Sequence, residues 1–231
     1  MSNSPHRLLA ALKAQSDHIM SHDEKMALIW KLINPNRFWH KHEMKPFTWN
    51  ISYVGNHIYN LLFSSISAGD TAYIKNSLLA CEGSISLPNY GTNYIINDLM
   101  DLPDYDLKDG VIRLYSLSGC QCFKHKQKPG TRKKYYALVS AEEAPEDFAT
   151  SIKNNIIRRG EKFLDRHIDE DEVSVKYVEL ERTARVKYKT GNILTQFVSL
   201  QLKAPKDIQK VAAYGGIGKE TGSGFGFVML G

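Results

Sequence analysis

Cysteine is scarce in this chain: 231 residues carry three, Cys81, Cys120 and Cys122. An odd count with one i,i+2 pair is neither a disulfide framework nor a zinc knuckle, and it points to a reducing setting, the cytoplasm. Long apolar runs are also missing. None approaches the ~20 residues that span a bilayer, so no membrane association is expected. The first residues do not read as a signal peptide, since His6, Arg7 and Lys13 interrupt the apolar positions and no small-residue cleavage site follows. Neither a low-complexity linker nor a sequence repeat is evident. Charge of one sign is not strongly in excess: 30 Lys and Arg against 25 Asp and Glu leave +5, too mild to identify a partner by itself. The 42% hydrophobic content is ordinary for a globular protein, and the length suits one large domain or two small ones.

Glycine, by contrast, is concentrated. Seven of the sixteen glycines fall in GGIGKETGSGFGFVMLG, residues 215–231. Such density means backbone conformations closed to other residues, or a very close approach. Two nucleotide-binding motifs are excluded. Lys219 is followed by Glu220 rather than Ser or Thr, and Ala213 stands where a P-loop has its first glycine. The spacing of Gly222, Gly224 and Gly226 is wrong for GxGxxG, and no helix follows to complete a Rossmann turn.

Along the chain the pattern is mixed. RLLAALKA (7–14) has helical propensity. SHDEKMALIWKLINP reads as a helix, with Ser21 and Glu24 as a capping box, an apolar stripe of Met26, Ile29, Trp30 and Ile33, and Pro35 as its stop. Residues 57–66 read as a strand. Residues 70–83 read as a helix capped by Asp70 and stopped by Gly83. Strands are expected at 110–117 and 135–140, around a basic loop. APEDFATSIKNNIIRRGEKFLDR is a helix with Pro145 at its first position and Phe148, Ile152, Ile156 and Phe163 inward. VSVKYVELE, ARVKYKT and ILTQFVSLQL follow as strands, then a helix over 204–215 and a last strand over 225–230. Helices between antiparallel strands, twice over, fit two βαββαβ units or one larger α+β domain.

Two clusters carry potential chemistry. PNRFWHKHEMKPFTWN (35–50) crowds His40, Lys41, His42 and Lys45 beside an apolar PFTWN turn. Imidazoles move protons near neutral pH and lysines hold phosphates, which is equipment for metal-free RNA cleavage; the same composition also suits a solvated loop. No Asp or Cys stands at ligand spacing from His40 and His42, so no metal and no cofactor are expected. KHKQKPGTRKK (124–134) holds six basic residues, Lys124, Lys126, Lys128, Arg132, Lys133 and Lys134, and no acid. It is either a solvated hairpin tip around Pro129–Gly130 or a clamp on an RNA stem, read through its phosphates. Arg158 and Arg159 are similar candidates.

The order strand, helix, glycine-rich loop, strand, with GIGKETGSGFGFV closing the chain, resembles the C-terminal signature of the RAMP superfamily of CRISPR-associated RNA-binding proteins. KHEMKPFTWN resembles the segment after the first helix of the repeat-processing endoribonucleases of that superfamily. RLYSLSG (113–119) and FATSIKNNIIRRGEKF (148–163) resemble the strand and helix that open their second domain. The resemblance implies an α+β fold of two tandem ferredoxin-like domains, 1–108 and 109–231, and makes 7–14 a first strand instead of a helix. It implies His42 as catalytic base with His40 as second choice, Lys45 or Arg37 as its cationic partner, and Gly216, Gly218, Lys219, Gly222, Gly224 and Gly226 against RNA backbone. Trp30 stands where some members have a catalytic tyrosine, and an indole cannot move a proton. The implied function is metal-independent cleavage of CRISPR repeat hairpins to give guide RNA, with RNA and other effector subunits as partners. The alternative is a non-catalytic RAMP subunit that only holds guide RNA; an unrelated ligand-binding α+β enzyme is a third reading.

Overall fold

The computed structural model describes residues 5–33, 44–127, 129–130, 134–188 and 191–231. Two antiparallel sheets follow one another along the chain, each covered by two helices.

The first sheet contains β1 (Arg7–Ala14), β2 (Phe47–Gly55), β3 (Ile58–Ser65), β4 (Ser84–Leu87) and β5 (Thr92–Leu102), in the order β2-β3-β1-β5-β4. Helices α1 (His22–Ile33) and α2 (Ala68–Leu79) complete it. Without the short β4, the spatial order is that of a ferredoxin-like βαββαβ unit. β1 lies at the centre, paired on both sides with β3 and β5. Leu8, Ala10, Leu12 and Ala14 alternate into the core, and this period of two overrides the Leu/Ala helix propensity of the segment.

The second sheet has the order β11-β6-β10-β9, the same ferredoxin-like arrangement. Its strands are β6 (Gly110–Ser116), β9 (Ser174–Tyr188), β10 (Gly191–Ala204) and β11 (Val228–Leu230), with helices α3 (Pro145–Leu164) and α4 (Lys206–Gly215). Between β6 and α3 a separate hairpin is inserted, β7 (Phe123–Gln127) and β8 (Lys134–Leu138). The tandem ferredoxin-like fold expected from the resemblance is the fold observed, and among the described residues no helix is long and apolar enough to cross a membrane.

Several local expectations are corrected. PFTWN is not a turn: Phe47, Thr48, Trp49 and Asn50 open β2, with Phe47, Thr48 and Trp49 buried. The strands at 110–117 and 135–140 do not pair with each other; β6 belongs to the second sheet, and the basic stretch begins inside β7. The stretches expected as two strands run together from Ser174 to Tyr188 as one long strand, β9, whose register shifts at bulges opposite Phe197 and Ser199. α2 starts at Ala68, before Asp70, whose carboxylate accepts from Ser65 Oγ at 2.6 Å. Only half of the capping box forms. Ser21 Oγ accepts from the Glu24 amide, but the Glu24 side chain turns into the core, fully buried. There Thr92 and Tyr94 hydroxyls donate to Oε1 at 2.6 Å each, and His18 Nε2 lies 2.5 Å from Oε2. Burial pushes that carboxyl up, but the hydrogen bonds from His18, Thr92 and Tyr94 outweigh it and hold it below the usual range.

Candidate nucleic-acid interface

The glycine loop lies in the seam where the two sheets meet. α4 ends at Gly215, the chain turns through Gly216, and a short 3-10 turn, Thr221–Ser223, leads to Gly224 and β11. Gly224 has φ near +80°, and a Cβ there would sit 2.6 Å from the Trp49 ring. Gly226 has φ near +69°, and its Cβ would run into the Ile217 carbonyl. Both positions therefore admit only glycine. A Cβ on Gly222 would collide with the Lys45 side chain, while Trp49 Nε1 donates to Gly222 O at 3.0 Å.

These close approaches are to the protein itself. The amides of Gly216, Ile217, Lys219 and Gly224 donate to carbonyls of Ala212, Gly226, Gln121 and Thr221. Those of Gly226 and Phe227 donate to Gly119 O and Ser118 Oγ. The expectation that such amides bind phosphate is corrected for these residues, because they already donate to the end of α4, to the loop itself and to the segment after β6.

Arg159 is the second correction. Its position on α3 suggested RNA contact, yet it is 1% exposed. It sits on the apolar stripe with Ile152 and Ile156, and its guanidinium crosses the seam. Nη2 donates to Lys45 O and Nη1 to Gly216 O, both at 3.0 Å. Burial pulls its pKa down to about 9, so it stays charged at neutral pH. One guanidinium thus ties the backbone just after residues 34–43 to the start of the glycine loop. Lys162 Nζ adds a longer contact, 3.4 Å, to Met44 O.

Among the expected catalytic residues, His40, His42 and Arg37 lie outside the described residues, as do Lys128, Arg132 and Lys133 of the basic stretch. Lys45 is described. It is 7% exposed, with its ammonium 5.9 Å from the centre of the Trp30 ring and its stem against Gly222. The basic residues separate into two groups. Lys126 is exposed on β7, and Lys134 opens β8. Lys124, Arg158 and Lys219 line one cavity, of about 420 Å³, between α3, the base of β7 and the glycine loop. Lys124 pairs there with Asp147. Burial, and then the neighbouring Arg158, hold the Lys219 ammonium below its usual range.

Two seam residues, His22 and Trp49, were not among the candidates read from the sequence. His22 stacks on Phe225 at 4.8 Å and on Trp49 at 6.0 Å. Burial first, then Lys25, lower its pKa to about 4, so the ring is neutral at physiological pH. It forms one wall of a cleft of about 490 Å³ between the sheets, whose other side carries Arg182, Arg185 and Lys187 of β9. Trp49 could have been found from the alternation of buried Trp49 and Ile51 with half-buried Asn50 and Ser52. His22 had no such pattern.

Residues 102–230 match the family model described as CRISPR associated protein Cas6, C-terminal. No curated protein matches the sequence. Among solved structures, a Cas6-related protein from Pyrococcus furiosus is similar at 14% identity and a TM-score of 0.76, over 98% of each chain. A RAMP protein binding different RNA substrates is similar at 15% and 0.75, over 97% of this chain and 98% of that one. A Cas6 product complex is similar at 15% and 0.71, over 98% and 99%. At these identities the likeness is one of fold. The family model, however, spans more than half of the sequence, and the chain belongs to the Cas6 family of CRISPR-associated proteins.

Proposed function

We propose that the protein is a metal-independent endoribonuclease that binds the repeat hairpin of a CRISPR precursor transcript and cleaves it to give guide RNA. The observation that carries this reading is the seam. Arg159, Gly222 and Gly224 hold Lys45 and Trp49 against the glycine loop, immediately after the histidine-bearing stretch. A solved Cas6 product complex and a Cas6 substrate mimic complex are among the structures of the same fold.

In this reading the ribose 2′-hydroxyl attacks the adjacent phosphorus. His42 takes the hydroxyl proton, with His40 as the second candidate, and Lys45 or Arg37 steadies the negative charge of the phosphorane. The bond to the 5′-oxygen breaks as that oxygen gains a proton. The products are a 2′,3′-cyclic phosphate and a 5′-hydroxyl end. The basic residues of 124–134, with Arg158 and Lys219, bind phosphates of the stem or its flank. The protein then remains on the guide RNA within an effector complex.

The test is a labelled repeat hairpin incubated with the protein in EDTA. Cleavage with a cyclic phosphate end, abolished by one 2′-deoxy nucleotide at the cut site, is expected. An absolute Mg²⁺ requirement, or cleavage that ignores the 2′-deoxy substitution, overturns the mechanism.

A further inference from the structure

Lys45 is held at more points than a surface lysine. Its backbone precedes Pro46, which keeps it out of the helical region. Arg159 Nη2 donates to its carbonyl at 3.0 Å. The first part of its side chain runs so close to the glycine loop that a Cβ on Gly222 would fall on Lys45 Cγ and within 3.0 Å of Lys45 Cβ. The ammonium, at the far end, lies over the Trp30 ring, 5.9 Å from its centre.

These contacts come from three elements: α3 holds the carbonyl, the glycine loop holds the stem, and α1 meets the charge. Trp30 packs against the first core but is only half-buried there. A lysine stem is flexible, and a cation stabilises a developing phosphorane best when it is already in place. An aromatic face supplies that restraint. Its quadrupole attracts a cation within about 6 Å of the ring centre, and tryptophan does so best. Unlike a hydrogen-bonding partner, the ring face takes none of the N–H donors that the ammonium offers to a phosphate.

We infer that Trp30 is a positioning residue, whose ring fixes the Lys45 ammonium for the phosphate at the cut. This rests on the function proposed above, and of the two cations named there it favours Lys45. Trp30 itself moves no proton and touches no RNA. It acts through Lys45 alone.

The experiment replaces Trp30 in the intact protein with mono-, di- and trifluorotryptophan by stop-codon suppression. Fluorine drains the π face and leaves the shape of the ring nearly unchanged, so packing in the core is kept. Single-turnover cleavage of repeat hairpin in EDTA is expected to fall with each added fluorine, about tenfold across the series, with hairpin affinity unchanged. In a Lys45→Met background the series should be flat. A second readout needs no RNA. Acetylation of Lys45 by acetic anhydride, followed by mass spectrometry, should quicken along the series as the ammonium is released. A ring that only fills the core predicts no trend in either measurement. Cleavage or acetylation that is the same across the series, or a trend in cleavage that persists in Lys45→Met, would overturn the inference. If the unsubstituted protein does not cleave, the nuclease reading fails by itself, and the acetylation series still decides whether Trp30 fixes Lys45.

Discussion

In the N-terminal sheet the buried carboxylate of Glu24 is served at home. His18, Thr92 and Tyr94, all from the same half, surround it. In the C-terminal sheet the buried guanidinium of Arg159 has no acid beside it among the described residues. It reaches out of its half to Lys45 O and back to Gly216 O, and its Nε has no partner there. The two sheets have the same strand order, so topology does not explain the difference. A charge buried within one half fixes that half. A charge buried across the seam fixes the relation between the stretch before β2 and the glycine loop, which is where the proposed chemistry stands.

The comparison can be broken at several points. The largest effect is expected at the loop itself. Gly224→Val combines a left-handed φ with a clash against the Trp49 ring, and it should destabilise by about 3–4 kcal/mol in a urea melt. That outcome runs against the reading implied by the resemblance, in which the loop lies on RNA backbone and valine would impair RNA binding more than stability. Normal melting with lost RNA binding would restore it.

Glu24→Leu should cost about 3 kcal/mol, because it strands His18 and two hydroxyls in the core. Cleavage by the fraction that remains folded should be unchanged. Arg159→Met should behave the other way round. Its stability loss is expected to be smaller, about 1–2 kcal/mol, since the uncompensated burial of a charge is relieved. Its single-turnover cleavage rate should fall roughly 10²-fold, because a displacement of about 1 Å in the catalytic stretch is enough for that. If Arg159→Met cleaves normally, or Glu24→Leu slows cleavage as much, the contrast between the halves is wrong.

His22 gives a pH test of the seam. Its folded pKa of about 4 lies below the unfolded value of 6.5. The unfolded chain therefore takes up a proton first as pH falls, and stability is lost between about pH 6.5 and 4. Allowing for partial exposure, the loss is about 2 kcal/mol. Urea melts of wild type and His22→Asn at pH 7 and pH 4.5 should differ by that amount, and parallel losses would contradict the assignment.

The smallest expected effect lies on the hairpin, away from the seam. Lys126→Ala should reduce the log–log salt slope of RNA binding by about 0.7–0.9, as one lost phosphate contact does, and leave cleavage of bound RNA unchanged. An unchanged slope would make the exposed hairpin a solvated tip.

What the sequence disclosed, and what it hid, follows the same division. The apolar stripes of α1, α3 and α4 and the helix-to-loop order at the C-terminus were legible, because local periodicity and turn chemistry specify them. β1 was not, since Leu and Ala favour a helix and only pairing with β3 and β5 decides otherwise. β2 was hidden by Pro46, and β4 and β5 by short or half-polar alternation. Arg159 was misread because its charge drew attention away from its place on the stripe with Ile152 and Ile156. The glycine loop was read correctly as a place of close approach. Its partners, Trp49 and Lys45, are about 170 residues away, and no local pattern names them.

The central claim of the proposed mechanism is that His42 is the general base of a metal-free RNA cleavage. It is tested most directly by measuring hairpin affinity and single-turnover cleavage in EDTA for wild type, His42→Ala, His40→Ala and the double variant. The account predicts unchanged affinity throughout, with cleavage reduced about 10²–10⁴-fold in His42→Ala and in the double variant. Full cleavage by the double variant would contradict it.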